Sequence, residues 1–307
     1  MLVVVALGGN ALIRRGEPAD VETQRRNAAR AARAIAELAE SHRVVVTHGN
    51  GPQVGLLALQ SEAYRAVSPY PLDVLGAESE GMIGYLLEQE LRGAMPGREV
   101  ATLLTQVEVD PRDPAFAKPS KPVGPIYSAE EARSLATKRG WTLTQDESGR
   151  YQRVVPSPEP IAILELATIR LLVDAGVVAV CVGGGGIPVT ISHGGSPRGA
   201  EAVIDKDFAS ALLATNLAAD ALLLLTDQPA VFADWPNPAT QRIPVATPSE
   251  LRARTFEAGS MAPKVEAACR FVDATRGRAG IGALADASRL LDGRTGTTVV
   301  SESIGRQ

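Results

Sequence analysis

Residues 2–10 read LVVVALGGN, and this stretch decides the fold. The run from Leu2 to Leu7 is apolar at every position. A strand with one wet face alternates. An unbroken Val-rich run is buried on both faces, as in a parallel sheet with helices above and below it. Gly8, Gly9 and Asn10 follow at the carboxyl end. Glycine there lets the backbone come close to a ligand, and exposed amides hold phosphate. The spacing is neither the dinucleotide fingerprint GxGxxG nor a Walker A loop.

The pattern recurs along the chain. Residues 43–51 read RVVVTHGNG, and Pro52 suits the first turn of a helix towards Tyr64. Residues 177–189 read VVAVCVGGGGIPV, and residues 221–227 read ALLLLTD. Val21 to Glu40 forms a helix pattern, with Ala28, Ala31, Ala32, Ile35 and Leu38 on its apolar face. Further helices are expected over Glu78–Leu91, Ile161–Ala175 and Pro263–Thr275, with Pro69–Asp73 as a loop. Strands alternating with helices give an open, mainly parallel sheet, and ligands bind beyond the carboxyl ends of its strands. Four glycines in a row, Gly183 to Gly186, cost backbone entropy, which a loop touching a ligand explains better than a generic turn. His48 is read as a turn or packing histidine.

From Asp110 to Pro160 the texture changes. Prolines stand at 111, 114, 119, 122, 125, 156, 158 and 160. A short helix over Ala129–Thr137 and hairpin strands around Trp141–Thr144 and Tyr151–Val155, turning at Ser148-Gly149, fit a small antiparallel or mixed excursion over the edge of the main sheet. Its Pro-rich entrance carries Lys118 and Lys121, read either as exposed loop lysines or as groups held towards an anion.

Residues 200–208 read AEAVIDKDF. Asp205, Lys206 and Asp207 stand where an apolar segment passes into a helix. Lys206 can balance phosphate charge while Asp205 fixes its direction. The plainer reading is a solvated helix start with an aspartate cap. Residues 257–264 read EAGSMAPK and bring Lys264 to the amino end of another helix, where orphan amides favour anions.

Composition narrows the classes. The chain has 307 residues, 45% hydrophobic and 21% charged, with a formal net charge of −4. No broad basic field points to nucleic acid. Cys181 and Cys269 lie in apolar patterns and are read as structural thiols, which fits a cytoplasmic setting better than a disulfide scaffold. Three scattered histidines do not form a zinc pattern, so no protein-held metal site is expected. No stretch is long and apolar enough to span a bilayer, and the opening MLVVVALGGNAL has no basic leader.

Glycine-rich strand ends with separated lysines suit phosphoryl transfer. Cations on several sides stabilise the transferring group, and backbone amides hold the donor phosphates. Lys121, Lys206 and Lys264 are the candidates. No GxSxG motif supports a hydrolase triad.

The stretches ALGGNAL, VTHGNGPQVG, PLDVLGAESEGMIGY, KPVGPIY, RVVPSPEPI, GGGGIPV, EAVIDKDFA, LLLLTD and GSMAPKVEAA together resemble the carbamate kinase branch of the amino-acid kinase family. KPVGP and VVPSP carry the likeness to that branch. The resemblance implies a three-layer αβα sandwich with a mainly parallel central sheet and a small protruding subdomain. It implies one kinase domain over 1–307. The N-terminal lobe, 1–195, would hold carbamoyl phosphate and include the protruding subdomain, 111–158. The C-terminal lobe, 196–307, would bind nucleotide.

The implied reaction joins ATP and carbamate to ADP and carbamoyl phosphate with Mg2+, often run towards ATP in arginine breakdown, in a homodimer. By motif, Lys206 and Lys264 would contact the phosphates, Asp205 would orient them, and Lys121 would reach down from the protruding subdomain. Gly8, Gly9 and Asn10 would flank the transferred group. Gly49, Asn50 and Gly51 would hold the carbamoyl end. Gly183, Gly184, Gly185, Gly186, Thr226 and Asp227 would serve the nucleotide side.

Glu78 and Glu80 depart from the uncharged residues of many relatives, and HGGSPRG and LTDQPAVF are unusual too. The competing readings are a related kinase with another acceptor, such as acetylglutamate or a nucleoside monophosphate, and a non-catalytic sensor of carbamoyl phosphate or nucleotide.

Overall fold

A computed structural model describes residues 1–9, 12–14, 16–18, 20–64, 66, 68–145, 149–233, 241–256 and 261–302. The chain opens with β1 (Leu2–Leu7), α1 (Val21–Ala39), β2 (Arg43–His48), α2 (Gly51–Ala63), α3 (Leu72–Ala94), β3 (Val100–Thr102) and β4 (Gln106–Val109). The middle holds β5 (Lys121–Tyr127), α4 (Ala129–Arg139), β6 (Leu143–Gln145), β7 (Tyr151–Val155) and β8 (Pro160–Ile163). There follow α5 (Leu166–Asp174), β9 (Val178–Val180), β10 (Ile187–Ile191) and β11 (Pro197–Gly199). The last part holds α6 (Lys206–Asn216), β12 (Ala221–Thr226), β13 (Val245–Ala246), α7 (Pro248–Arg252), α8 (Met261–Thr275), β14 (Arg278–Ala283), α9 (Ala287–Leu291) and β15 (Thr297–Val299).

The main sheet has eight strands in the order β13-β15-β14-β12-β1-β2-β9-β3. Among the described residues, only its β14–β15 pair is antiparallel. All six residues of β1 are buried, and successive side chains point to opposite faces. Leu2, Val4 and Ala6 join a cluster with Leu213 of α6 and Phe271 of α8. Val3, Val5 and Leu7 join a second cluster with Ile35 of α1 and Leu87 of α3. Helices therefore cover both faces, and the architecture is three-layered, αβα.

A second sheet, ordered β11-β10-β4-β8, flanks the main one. The third, β5-β7-β6, is antiparallel and lies with α4 in the Pro-rich excursion. The excursion seats on α2 through glycine. A Cβ on Gly55 would stand 2.3 Å from Gly124 Cα, and Gly124 has φ of +74°. Val54, Leu72 and Val123 are buried together at this seam.

Two element boundaries differ from the sequence reading. The helix expected over Glu78–Leu91 begins at Leu72, because Pro71 sits at its N-cap position and the Leu72 N–H donates to Glu201 Oε2 at 2.8 Å. The helix expected over Ile161–Ala175 is split. Pro160–Ile163 pairs with β4, and the helix starts only at Leu166. Ser148, placed in the hairpin turn, lies outside the described residues.

Candidate active site

The carboxyl ends of β1, β2 and β12 meet the amino ends of α6 and α8 around a cavity of about 300 Å3. The Gly8 N–H donates to Leu225 O at 3.0 Å, and the Gly49 N–H donates to Leu7 O at 3.1 Å. Each extends a parallel ladder past the strand end. A Cβ on Gly49 would lie 3.2 Å from Gly9 Cα and 3.2 Å from Lys206 Cδ. The two glycine corners thus sit against each other, with the stem of Lys206 beside them.

Lys206 and Lys264 converge on one carboxylate. Lys206 Nζ is 2.5 Å from Asp207 Oδ1, and Lys264 Nζ is 2.9 Å from Asp207 Oδ2. The Asp207 side chain is 5% exposed, and the two lysines are 11% and 10% exposed. Helix α6 is fixed beneath them. Asp205 caps it by accepting from the Asp207 N–H at 2.9 Å, Ser210 Oγ donates to Lys206 O at 2.6 Å, and the Ser210 and Thr47 hydroxyls meet at 2.7 Å.

The charges tune one another. Burial pushes the Lys206 ammonium down to about 8, and the neighbouring Lys264 charge adds to this against the pull of Asp207. Burial also works against the Lys264 charge, but the Asp207 carboxylate outweighs it and holds Lys264 above the ordinary lysine value. Burial opposes the Asp207 charge as well, yet the two ammonium groups hold it well below the usual carboxylate range. Two cations against one carboxylate leave a surplus positive charge in a water-poor cleft, and such a cleft concentrates anions.

Lys121 enters from the excursion, with Nζ 2.5 Å from Asp205 Oδ2. The sequence reading gave Asp205 the task of orienting Lys206 and Lys264. Asp207 makes those contacts, while Asp205 is spent on the helix cap and on Lys121. Both carboxylates come from the DKD triplet at the start of α6, where sequence alone does not tell them apart. Lys118 is exposed and does not border the cavity.

The glycine run forms the back wall. Val182 has φ of +53°, a left-handed conformation that non-glycine residues seldom adopt, and Gly183–Gly185 make a 3-10 turn. Of the four glycines, Gly184 borders the cavity. Its Cβ would fall 2.2 Å from Asn50 Nδ2. Asn50 is itself held, with Nδ2 donating to Ser79 Oγ at 2.8 Å. Gly51, the first residue of α2, borders the cavity, as do Thr226 and Asp227, with Thr226 Oγ1 donating to Asp227 Oδ1 at 3.1 Å. Asn10, and residues 257–260 of the EAGSMAPK stretch, lie outside the described residues.

His48 is fully buried, and burial pushes its imidazole down to about 4. Nδ1 faces the Gly49 carbonyl at 3.2 Å, which as an acceptor places the proton on Nδ1. Among the described residues no group of three or more His, Cys, Asp or Glu is arranged to hold a metal ion. Among the same residues, no helix is long and apolar enough to cross a membrane.

Fold and site together define a phosphotransferase: amide-rich strand ends face a cluster of lysines at two helix starts. The family model for the amino acid kinase family matches residues 1–281. The chain is 54% identical over 304 residues to a carbamate kinase of Rhizobium meliloti, covering 98% of this chain and 94% of that protein. It is 49% identical over 306 residues to a carbamate kinase of Haemophilus influenzae, covering 99% and 98%. The solved carbamate kinase of Giardia lamblia bound to AMP-PNP matches with a TM-score of 0.90 at 40% identity, covering 98% of each chain. The chain belongs to the amino acid kinase family and, within it, groups with the carbamate kinases.

Proposed function

We propose that this chain catalyses the reversible transfer of a phosphoryl group between ATP and carbamate, with ADP and carbamoyl phosphate on the other side. The observation that carries the reading is the pairing of Lys206 and Lys264 on Asp207 at the floor of a glycine-walled cavity, with Lys121 reaching in from the excursion. A transferring phosphoryl group gathers charge on its equatorial oxygens, and cations placed beforehand stabilise that charge without reorganising.

Lys206 and Lys264 serve the phosphate chain and the transferred group, and Lys121 serves the carbamoyl phosphate end. Asp207 orients the first two, and Asp205 orients the third. Gly8, Gly9 and Asn10 flank the transferred group. Gly49, Asn50 and Gly51 hold the carbamoyl end. Gly183 to Gly186, Thr226 and Asp227 form the nucleotide side. Residues 1–195, with the protruding 111–158, act as the carbamoyl phosphate lobe, and 196–307 act as the nucleotide lobe.

Transfer is direct and in line: three lysines are distributed around the cavity, and no serine, cysteine or histidine borders it among the described residues. Mg2+ arrives with the nucleotide, held by phosphate oxygens and water, as suits an ion that dehydrates reluctantly. Asp205 and Asp207 are already engaged by lysines, which fits a metal carried by its substrate. The working direction is towards ATP, in the cytoplasm.

Leu56 and Leu59 on α2, with Val74, Met82 and Tyr85 on α3, are large apolar side chains exposed on neighbouring helices. They support a homodimer through this face. Sedimentation analysis at micromolar protein gives a dimer mass for the parent chain and a monomer mass for Met82→Glu combined with Tyr85→Glu. A parent monomer rejects the assembly.

The activity is tested by following ATP made from Mg-ADP and carbamoyl phosphate, with a no-enzyme control and a Lys206→Ala control. Rapid ATP formation, abolished in the folded variant, supports both reaction and site. Folded parent protein that makes no ATP rejects the reaction. A phosphorylated protein species that forms and decays at the turnover rate rejects direct transfer.

A further inference from the structure

Glu80 lies on α3 behind the glycine wall and is 1% exposed. Its Oε1 accepts from the Gly183 N–H at 2.7 Å, and its Oε2 accepts from the Thr105 N–H at 3.2 Å. Thr105 holds the same loop further on. Its Oγ1 accepts from the Val182 N–H at 3.0 Å, and its carbonyl accepts from the Ile187 N–H at 2.8 Å. One carboxylate and one threonine thus clamp both ends of a loop that starts with Val182 in a left-handed conformation, which costs energy unless its surroundings impose it.

The loop has contacts to transmit. Gly184 is closed against Asn50, and a Cβ on Gly185 would stand 2.5 Å from Ile204 O, just before the Asp205 cap. A shift of Gly183 therefore reaches both the Asn50 wall and the start of α6.

No cation among the described residues stands against Glu80. The groups facing it are His48, Thr105, Cys181 and, further off, Glu165. His48 touches the same glycine, since a Cβ on Gly183 would fall 2.4 Å from His48 Nε2 and 2.7 Å from Glu80 Cγ. His48 Nε2 has no hydrogen-bond partner among the described residues. A buried carboxylate without a cation sheds its charge by keeping a proton.

We propose that Glu80 is a positioning residue for the glycine wall, and that its retained proton keeps negative charge away from Gly184, the glycine of the run that borders the cavity. The proposal rests on the nucleotide reading of that wall. Burial, opposed by the bonds from Gly183 and Thr105, pushes the Glu80 carboxyl up to about 8. Above that pH a carboxylate forms behind the loop and weakens its hold on phosphate.

Two measurements test this. Amide hydrogen exchange across residues 182–187 is compared in the parent, Glu80→Gln and Glu80→Leu proteins, without substrate. KM for ADP is followed from pH 6.5 to 9.5 in the same three. Exchange in the loop rises at least tenfold in Glu80→Leu and stays near the parent in Glu80→Gln, whose amide oxygen still accepts from Gly183. At pH 7 the leucine variant has a KM raised about tenfold, and the glutamine variant brings it back to within about threefold of the parent. Between pH 7 and 9 the parent's KM climbs at least threefold more than that of Glu80→Gln.

Unchanged loop exchange in folded Glu80→Leu overturns the positioning role. Parallel pH profiles for the parent and Glu80→Gln overturn the role of the proton. If the parent makes no ATP, the kinase reading fails, and the exchange data still decide the positioning role.

Discussion

The Lys121 ammonium stands 2.5 Å from Asp205 Oδ2, across 84 residues of sequence. The contact ties the excursion to the N-cap of α6, the helix that starts with Lys206. One aspartate therefore stabilises the helix start and fixes where the excursion's lysine points.

Lys121→Ala is expected to lower ATP formation by about 10²–10³-fold, the scale of removing one prepositioned charge donor from a transition state. The Lys121 side chain is 32% exposed, so stability changes by less than about 1 kcal/mol. Steady-state kinetics paired with thermal melting checks both. A tenfold activity loss matched by a large fall in melting temperature would instead mean that the contact is structural.

Asp207→Asn is expected to cost stability where Lys121→Ala does not. It leaves two nearly buried ammonium groups facing each other, and removing one side of a buried pair costs about 3–5 kcal/mol. Urea unfolding at pH 7 and pH 9 gives the check. The loss is smaller at pH 9, because Lys206 sheds its proton more easily once the carboxylate is gone.

Lys206 sets an alkaline limit. Its ammonium, pushed down to about 8 by burial, is lost as pH rises through that value, and transfer activity falls with it. The stability effect has the opposite slope. The folded chain holds this proton less tightly than the unfolded chain, whose lysine titrates near 10.5, so the Lys206 contribution is present above 10.5 and lost as pH falls through 8. Lys206→Arg keeps its charge throughout. Its log kcat profile in the ATP-forming direction is lower at pH 7 and shows no alkaline fall near 8. A fall at the same pH in the arginine variant would assign the limit to another group.

Two glycines should behave in opposite ways. At Gly55 a methyl group meets the Gly124 backbone at 2.3 Å, whereas at Gly76 it meets nothing within 4 Å. Gly55→Ala is expected to cost about 1–3 kcal/mol by overpacking, and to depress turnover because β5 carries Lys121. Gly76→Ala, inside α3, is expected to gain about 0.5–1 kcal/mol from helix propensity. Equal effects in urea unfolding would show that the seam between α2 and the excursion yields freely.

Much of this was legible in the sequence, for physical reasons that also explain the failures. Strands β1, β2 and β12 are continuous apolar runs stopped by glycine or by Thr-Asp, so their extents and the ligand-facing end could be read directly. The β8–α5 boundary could not. IAILELATIRLL is apolar by either period and contains no glycine or proline to divide it. The start of α3 was hidden by reading Pro71 as a loop residue when it sits at the N-cap position.

At the site, the sequence showed which residue types gather but not which carboxylate faces inward. Asp205 and Asp207 are equivalent as letters. The cap geometry and Lys121 take the first, which leaves the second between the lysines. Glu80 stood out only as an unexpected charge, because its partners are backbone amides at Gly183 and Thr105, far along the chain.

Strand β1 pairs with β2 along one edge, from Leu2–Arg43 to Leu7–His48, and with β12 along the other, from Val3–Ala221 to Leu7–Leu225. On the lobe division proposed above, the seam at β1–β12 is a row of backbone hydrogen bonds. In evolution, the lobes cannot be shuffled between relatives as free cassettes. A recombinant gene has to carry β1 and β12 in matching register, or the glycine corner and the lysines arrive at different heights. Joined at that register, a half carrying β1 and β2 from one lineage and a half carrying β12 from another can inherit an aligned site at once.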